Sequence, residues 1–216
     1  MTEIKKRNKL GLYTVDGEPY RSVTTIIRFM GAPQSLIYWY GKYGTAEANR
    51  LTEAHANYGK EVHKACDEAI FKGRDCMDSE YASRIAAVTA WIEQQGFTPV
   101  GGEQTVYNPD LHYAGTVDGI LKASDSTIII DFKTRREHRF EEALQLAAYA
   151  NCPMVQATSA YIIRMGKTAQ YLPEYTLYTK EELATAFEMF KKMLELYNYK
   201  KTLSKKRKLK ETKNES

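Results

Sequence analysis

The chain has 216 residues, a hydrophobic fraction of 43% and three cysteines, enough to bury one sizeable core and near the upper end of what one core spans. It contains no apolar run of about eighteen residues and its first ten residues are too charged for a secretory signal. Cys66, Cys76 and Cys152 stand too far apart for a disulfide framework or a C-x-x-C metal site. A soluble, intracellular protein with reduced thiols and no membrane partner is therefore expected. The net charge of +4 is unevenly spread, because residues 191–216 hold ten Lys or Arg against three Glu, hence +7, which leaves −3 for the first 190.

In chain order, residues 11–15 read as a strand or arm that turns at Asp16-Gly17. Ser22 or Thr24 is placed to cap a short helix through Met30, ended by Gly31, and Pro33 to open another towards Tyr43. Helical spacing of Val62, Ala65, Ala69 and Ile70 predicts a helix over 57–72 stopped by Gly73. A second runs over 79–95, with Asp78 as N-cap, Ile85, Val88 and Ile92 on its buried face, and Gly96 as its stop. Residues 97–107, 113–121 and 128–134 are rich in β-branched and aromatic residues, and Ser124-Asp125-Ser126 is turn chemistry, which predicts three successive antiparallel strands. A helix over 141–152 is stopped by Pro153. Strands over 160–165 and 171–177 join through Gly166, and a last helix starts near Lys180 with Leu183, Phe187, Phe190 and Leu194 on one face. This order predicts one α/β domain over 1–203, mainly helical over 1–95, sheet-bearing over 96–180 and helical again over 181–203, followed by a basic, disordered tail over 204–216.

The chemistry concentrates in Gly115-Thr116-Val117-Asp118 and Asp131-Phe132-Lys133-Thr134. Strand alternation puts Ile128, Ile130 and Phe132 on one face and Asp131 with Lys133 on the other. A hairpin that brings Asp118 alongside sets two carboxylates together, which repel unless a cation lies between them; Mg²⁺, with its preference for hard oxygen ligands, suits that place. Such a cation polarises a phosphate and acidifies a water, and Lys133 is placed to orient that water or offset developing charge. Taken alone, D-x-K fits equally a surface ion pair on an edge strand. In the tail, Lys205-Lys206-Arg207-Lys208 attracts a polyanion such as DNA without reading its sequence, or simply keeps the chain soluble.

These residues resemble the RecB-like branch of the PD-(D/E)XK nuclease superfamily. Gly115 to Asp118, the apolar run into Asp131-Phe132-Lys133-Thr134, and Gln145 with Tyr149 on the next helix are similar to its motifs II and III and its Q-x-x-x-Y helix. Upstream, Gly59 to His63 resembles a G-x-x-x-H helix, and Ser22-Val23-Thr24 an N-terminal element found in phage nucleases and the mitochondrial genome maintenance exonuclease. The resemblance implies a restriction-endonuclease-like core with a mixed central sheet flanked by helices. It also implies Asp118, Asp131, the Phe132 carbonyl and His63 as ligands of Mg²⁺ or Mn²⁺, with Glu103 a weaker, water-mediated participant. Lys133, Gln145 and Tyr149 become catalytic, and Gln145 and Tyr149, four residues apart, share a helical face. The four cysteines of iron-sulfur relatives are not matched, so no such cluster is expected. The chain also lacks a P-loop, so no ATP chemistry is expected.

The activity implied is a metal-dependent DNA exonuclease of phage or bacterial replication or recombination, working in the bacterial or phage-infected host cytoplasm with a possible protein partner. A structure-selective endonuclease of the same fold, a noncatalytic DNA-binding module and a hydrolase of small phosphorylated substrates are the alternatives. Polarity, strand preference and oligomeric state are not encoded in these motifs.

Overall fold

The computed structural model describes residues 2–5, 8, 10–31, 34–75, 80–166 and 172–214. Pro33, Cys76, Asp78, Ser79 and Tyr171 lie outside the described residues, as do the side chains of Lys205 and Lys208.

The chain opens with β1 (Ile4–Lys5), β2 (Leu12–Val15) and β3 (Glu18–Ser22). β2 and β3 form an antiparallel hairpin whose Asp16 and Gly17 both take positive φ, the backbone that a two-residue D-G turn demands. β3 stands where no strand is predicted, since its Glu18-Pro19 start carries little strand propensity. α1 (Val23–Ile27) follows and a 3₁₀ turn carries it to Met30. Ser22 occupies the N-cap position, but its hydroxyl bonds that of Thr24 at 2.8 Å and caps no backbone N–H.

α2 (Gln34–Cys66) absorbs two predicted helices, broken at Gly44, where φ 72 and ψ 161 leave the helical region. Tyr40 donates to Asn49 Oδ1 at 2.7 Å and Trp39 lies over Tyr43 and beside His55, so the two halves pack on each other across the break. A π-helical turn (Asp67–Phe71) prolongs α2, and α3 (Ala82–Gln94) ends before Gly96 at φ 67.

The predicted strand over 97–107 divides into β4 (Thr98–Gly101) and β5 (Gln104–Asn108), and that over 113–121 into β6 (Tyr113–Val117) and β7 (Gly119–Ala123). The two divisions face each other. β5 pairs with β6 in a five-stranded sheet of order β1-β2-β3-β6-β5, while β4 pairs with β7 in a second of order β10-β9-β8-β7-β4. The chain thus changes sheets at Asp118. β8 (Ser126–Lys133) lies at the centre of the second sheet, antiparallel to β7 and parallel to β9 (Ser159–Arg164), and β10 (Glu174–Tyr178) closes its edge.

α4 (Glu141–Ala150) supplies the crossover between the parallel strands, and α5 (Lys180–Asn214) completes the fold. Ile128, Ile130 and Phe132 of β8 pack with Val62 of α2 and with Ile85, Val88 and Ile92 of α3. Ile129 points the other way into a core built by Leu144 and Leu146 of α4 and Phe190 and Leu194 of α5. A mixed sheet system flanked by helices is therefore observed, and β8, sealed on both faces, reads as an almost continuous apolar run for that reason. Cys66 and Cys152 are buried in the two different cores.

The strand expected over 11–15 is present as β2 ahead of the helices. At the other end α5 departs from expectation, continuing as helix through Asn214, across most of the predicted tail, because Lys, Arg, Leu and Glu are good helix formers. None of the described helices is long and apolar enough to cross a membrane.

Candidate active site

Asp118 occupies the one-residue gap between β6 and β7. The pairing of β7 with β8 runs out at Gly119 and Ile130, and there Asp118 Oδ2 accepts the Phe132 backbone N–H at 2.8 Å. A carboxylate takes over from the missing ladder bond, which explains why the strand breaks at an aspartate and why its side chain leans onto β8.

Asp131 projects from the opposite face to Phe132 and is 3% exposed. Its Oδ1 accepts Gln145 Nε2 of α4 at 2.9 Å, and Lys133 Nζ forms an ion pair with Oδ2. This buried position on a central strand removes the edge-strand ion pair open to the sequence. Oδ2 itself receives no hydrogen bond of good geometry, which leaves a buried carboxylate oxygen with coordination to spare.

α2 reaches the same place from the other side. Gly59, one turn before His63, faces Thr134 Oγ1 at a would-be Cβ distance of 3.7 Å, so the helix lies close to the end of β8. His63 then approaches Asp118 Oδ1 with Nδ1 at 3.2 Å and sets its ring edge-on to Phe132. Burial opposes the charge on His63, but the charge and hydrogen bond of Asp118 outweigh it and hold the imidazole pKa above its usual value. The two carboxylates separate in response to their surroundings. Burial raises both, yet His63 and Lys133 bring Asp118 below the ordinary range, while burial and the neighbouring Asp118 keep Asp131 above it despite Lys133.

Tyr149 is 3% exposed and its ring lies against Gly115, where any Cβ would overlap it. It also shares a hydrogen bond with Gln145, and burial drives its phenol pKa well above 10. Of the two residues expected on one helical face, Gln145 alone meets a carboxylate and Tyr149 stands behind it.

Glu103 lies in the bend between β4 and β5, and the flanking pairs Gly101 with Ile120 and Gln104 with Val117 put that bend opposite Asp118. Asp67 of the π turn accepts the Glu103 backbone N–H at 2.9 Å. Gly102 and Gly119 leave room there for Asp67 and Phe71, respectively. Lys206 and Arg207 are exposed on α5.

Among the described residues no three His, Cys, Asp or Glu side chains form a ready-made metal cage, since His63 is paired with Asp118 and Lys133 with Asp131. The residues nonetheless fit a hard divalent cation, because the carboxylates of Asp118 and Asp131 lie near enough to act on each other and Asp131 Oδ2 is a buried oxygen met by the Lys133 ammonium but by no hydrogen bond of good geometry.

Sequence reasoning missed four neighbours. Tyr13 of β2 bonds Thr116 Oγ1 at 2.9 Å through its hydroxyl. Glu142 of α4, 2% exposed, pairs with both Arg135 and the fully buried Arg164. In the sequence, Glu141-Glu142 reads as an ordinary acidic first turn, and only the run of Arg around 135–139 hinted at more.

No curated protein matches the chain. Among solved structures it is similar to an alkaline exonuclease (LHK-Exo) from Laribacter hongkongensis, at 15% identity over 87% of this chain and 94% of that one with a TM-score of 0.45. The same exonuclease in complex with dAMP matches at 15% identity, 87% and 94% coverage and a TM-score of 0.42. The structure of SSO0001 matches at 14% identity, 81% and 75% coverage and a TM-score of 0.38. These distant likenesses carry no residue roles. Residues 36–210 match the sequence model of the PD-(D/E)XK nuclease superfamily, a span that takes in His63, Asp118, β8 and α4, and the chain belongs to that superfamily.

Proposed function

We propose that the protein is a metal-dependent deoxyribonuclease whose active centre is the cluster of Asp118, Asp131 and Lys133. The observation that carries this reading is the pair of neighbouring carboxylates, half-buried Asp118 on the Phe132 N–H and buried Asp131 with Lys133 paired to its Oδ2. Asp118, Asp131, the Phe132 carbonyl and His63 are the residues that would hold Mg²⁺ or Mn²⁺, which when bound polarises the scissile phosphate and lowers the pKa of a water. Lys133, beside Asp131, would orient that water and offset charge on the phosphate oxygens. Gln145 keeps Asp131 in one rotamer through Oδ1, and Tyr149, immobile against Gly115, holds Gln145. Glu103, on the rim across from Asp118, engages through water.

The exonuclease reading, and a phage or bacterial replication or recombination setting, rest on the resemblance of these motifs to RecB-like nucleases. The test is cleavage of end-labelled linear and covalently closed circular DNA, single and double stranded, with Mg²⁺, Mn²⁺ or EDTA, beside Asp131→Ala. Metal-dependent loss of linear DNA with circles spared is the expected result. Cut circles make the protein an endonuclease, and a folded, metal-loaded protein that cuts nothing makes it a DNA-binding module.

A further inference from the structure

Beyond the acid pair, a second charge cluster lies where β8 gives out. Glu142 accepts Arg135 Nη2 on Oε1 at 2.6 Å, and its Oε2 is held by Arg164 Nη2. Arg164 is fully enclosed and also donates to Thr176 Oγ1 at 3.0 Å. One carboxylate thus serves two guanidinium groups, which leaves a surplus positive charge. Arg164 and Glu142 have side-chain exposures of 0% and 1%, whereas Arg135 keeps 30%, so the surplus faces outward only through Arg135. Its Nε is buried and has no acceptor in the protein. The group sits within the electrostatic reach of Asp131.

We propose that Arg135 is a phosphate-binding side chain that receives the DNA backbone beside the metal-ligand carboxylates, held in place by Glu142. This rests on the nuclease reading for the identity of the ligand. A planar guanidinium held to Glu142 through Nη2 while the side chain keeps 30% exposure suits the paired oxygens of a phosphodiester better than a single point acceptor. The Glu142 anchor has a second effect. Without it, a guanidinium two residues beyond Lys133 would fall onto Asp131 and compete with the cation there; with it, the positive charge is kept beside the carboxylates and off them. Arg164 strengthens the anchor by fixing the other oxygen of Glu142 from β9.

The test is equilibrium binding of a short DNA duplex and of its single strand across a range of salt, in Ca²⁺ with the DNA checked for integrity, for wild type, Arg135→Ala, Arg135→Gln and Arg135→Lys. Loss of one phosphate contact flattens the plot of log affinity against log salt by about 0.9 for duplex or 0.7 for single strand. That flattening is expected for Arg135→Ala and Arg135→Gln, with affinity down about tenfold at low salt. Arg135→Lys restores the slope but not kcat/KM in Mg²⁺, because the fork is lost. Arg135→Gln can still donate to Glu142, so it carries the test if the alanine variant fails to fold. Lys122→Ala, at the turn end of the β7–β8 hairpin, keeps the wild-type slope. A wild-type slope in the Arg135 variants, with only the melting temperature lowered, makes the residue a strut and overturns the proposal. If the slope depends on Arg135 while wild type cleaves nothing in Mg²⁺, the nuclease reading fails and the DNA site stands. A wild type that binds no DNA overturns both.

Discussion

At the sheet junction Lys133 has 12% of its side chain exposed and is paired with Asp131, whereas on α5 Lys200, Lys201, Lys206 and Arg207 stand in water. Both regions are rich in cations, and both are candidates for contact with a polyanion. Their physical situations are opposite. A charge pair a few Å apart is worth only about 1 kcal/mol in water and several-fold more where water is excluded. The junction therefore fixes each partner individually: Phe132 N–H and His63 on Asp118, Gln145 and Lys133 on Asp131. Along α5 the exposed charges act as a group, screened by salt and indifferent to sequence. Lys200 lies over the ring of Phe29 in the 3₁₀ turn after α1, and Lys201 over Tyr197 of its own helix, so part of that surface is also occupied in holding α5 against that turn. One region is built for chemistry at a point and the other for attraction at a distance.

The sharpest break of this comparison is Asp131→Ala or Lys133→Ala, each expected to lower kcat by at least about 10²–10³-fold while circular dichroism shows the fold retained. A variant that cuts at the wild-type rate removes the site assignment. Next is Gly115→Ala. A Cβ there overlaps the enclosed Tyr149 ring, so overpacking of about 1–3 kcal/mol is expected in denaturant unfolding, with activity lost as Gln145 shifts. An unchanged midpoint means that the ring yields and is not the rigid support described.

A third outcome concerns pH. The His63 pKa is raised in the metal-free protein by Asp118, so its protonated form stabilises the fold. That contribution is fully present below the unfolded value of about 6.5 and is lost as pH rises through the folded value. Comparison of melting temperatures of wild type and His63→Ala in EDTA is expected to show an advantage for wild type at acid pH that fades on the alkaline side. Mn²⁺ reverses the trend, because it competes with the proton, so the stabilisation it confers grows with pH. A wild-type advantage in EDTA that does not change with pH separates His63 from Asp118. The smallest effect belongs to α5: removal of residues 204–216 is expected to weaken DNA binding several-fold at low salt and hardly at all near physiological salt, and a loss independent of salt points to a specific contact instead.

Much of the candidate site is legible before any tertiary contact is known. The pattern Ile128, Ile130, Phe132 against Asp131, Lys133 identifies β8, and the Asp16-Gly17 turn and the Gly73 and Gly96 stops mark their positions through the backbone freedom they require. The sheet change at Asp118 is not legible, since residues 113–121 read as one strand and the break is a single residue whose side chain replaces a backbone partner. Nor is the fusion of two helices in α2, where Gly44 marks a fold-back only because Trp39 and Tyr40 find partners on the following half. The expected tail became helix because its residues favour helix wherever nothing competes.

The sequence by itself determined the broad alternation of helical and strand segments, the faces that the long ones bury and the pairing of an acid with a lysine on one strand, because periodicity is local and each residue carries its own preference. Tertiary structure alone decided that β8 would be central and closed on both faces, that Glu142 of α4 would bridge Arg135, just beyond β8, and Arg164 of β9, and that Tyr149 would lie on Gly115. Those arrangements depend on which distant backbone arrives beside each side chain, and burial then sets the value of a charge that the sequence can only name.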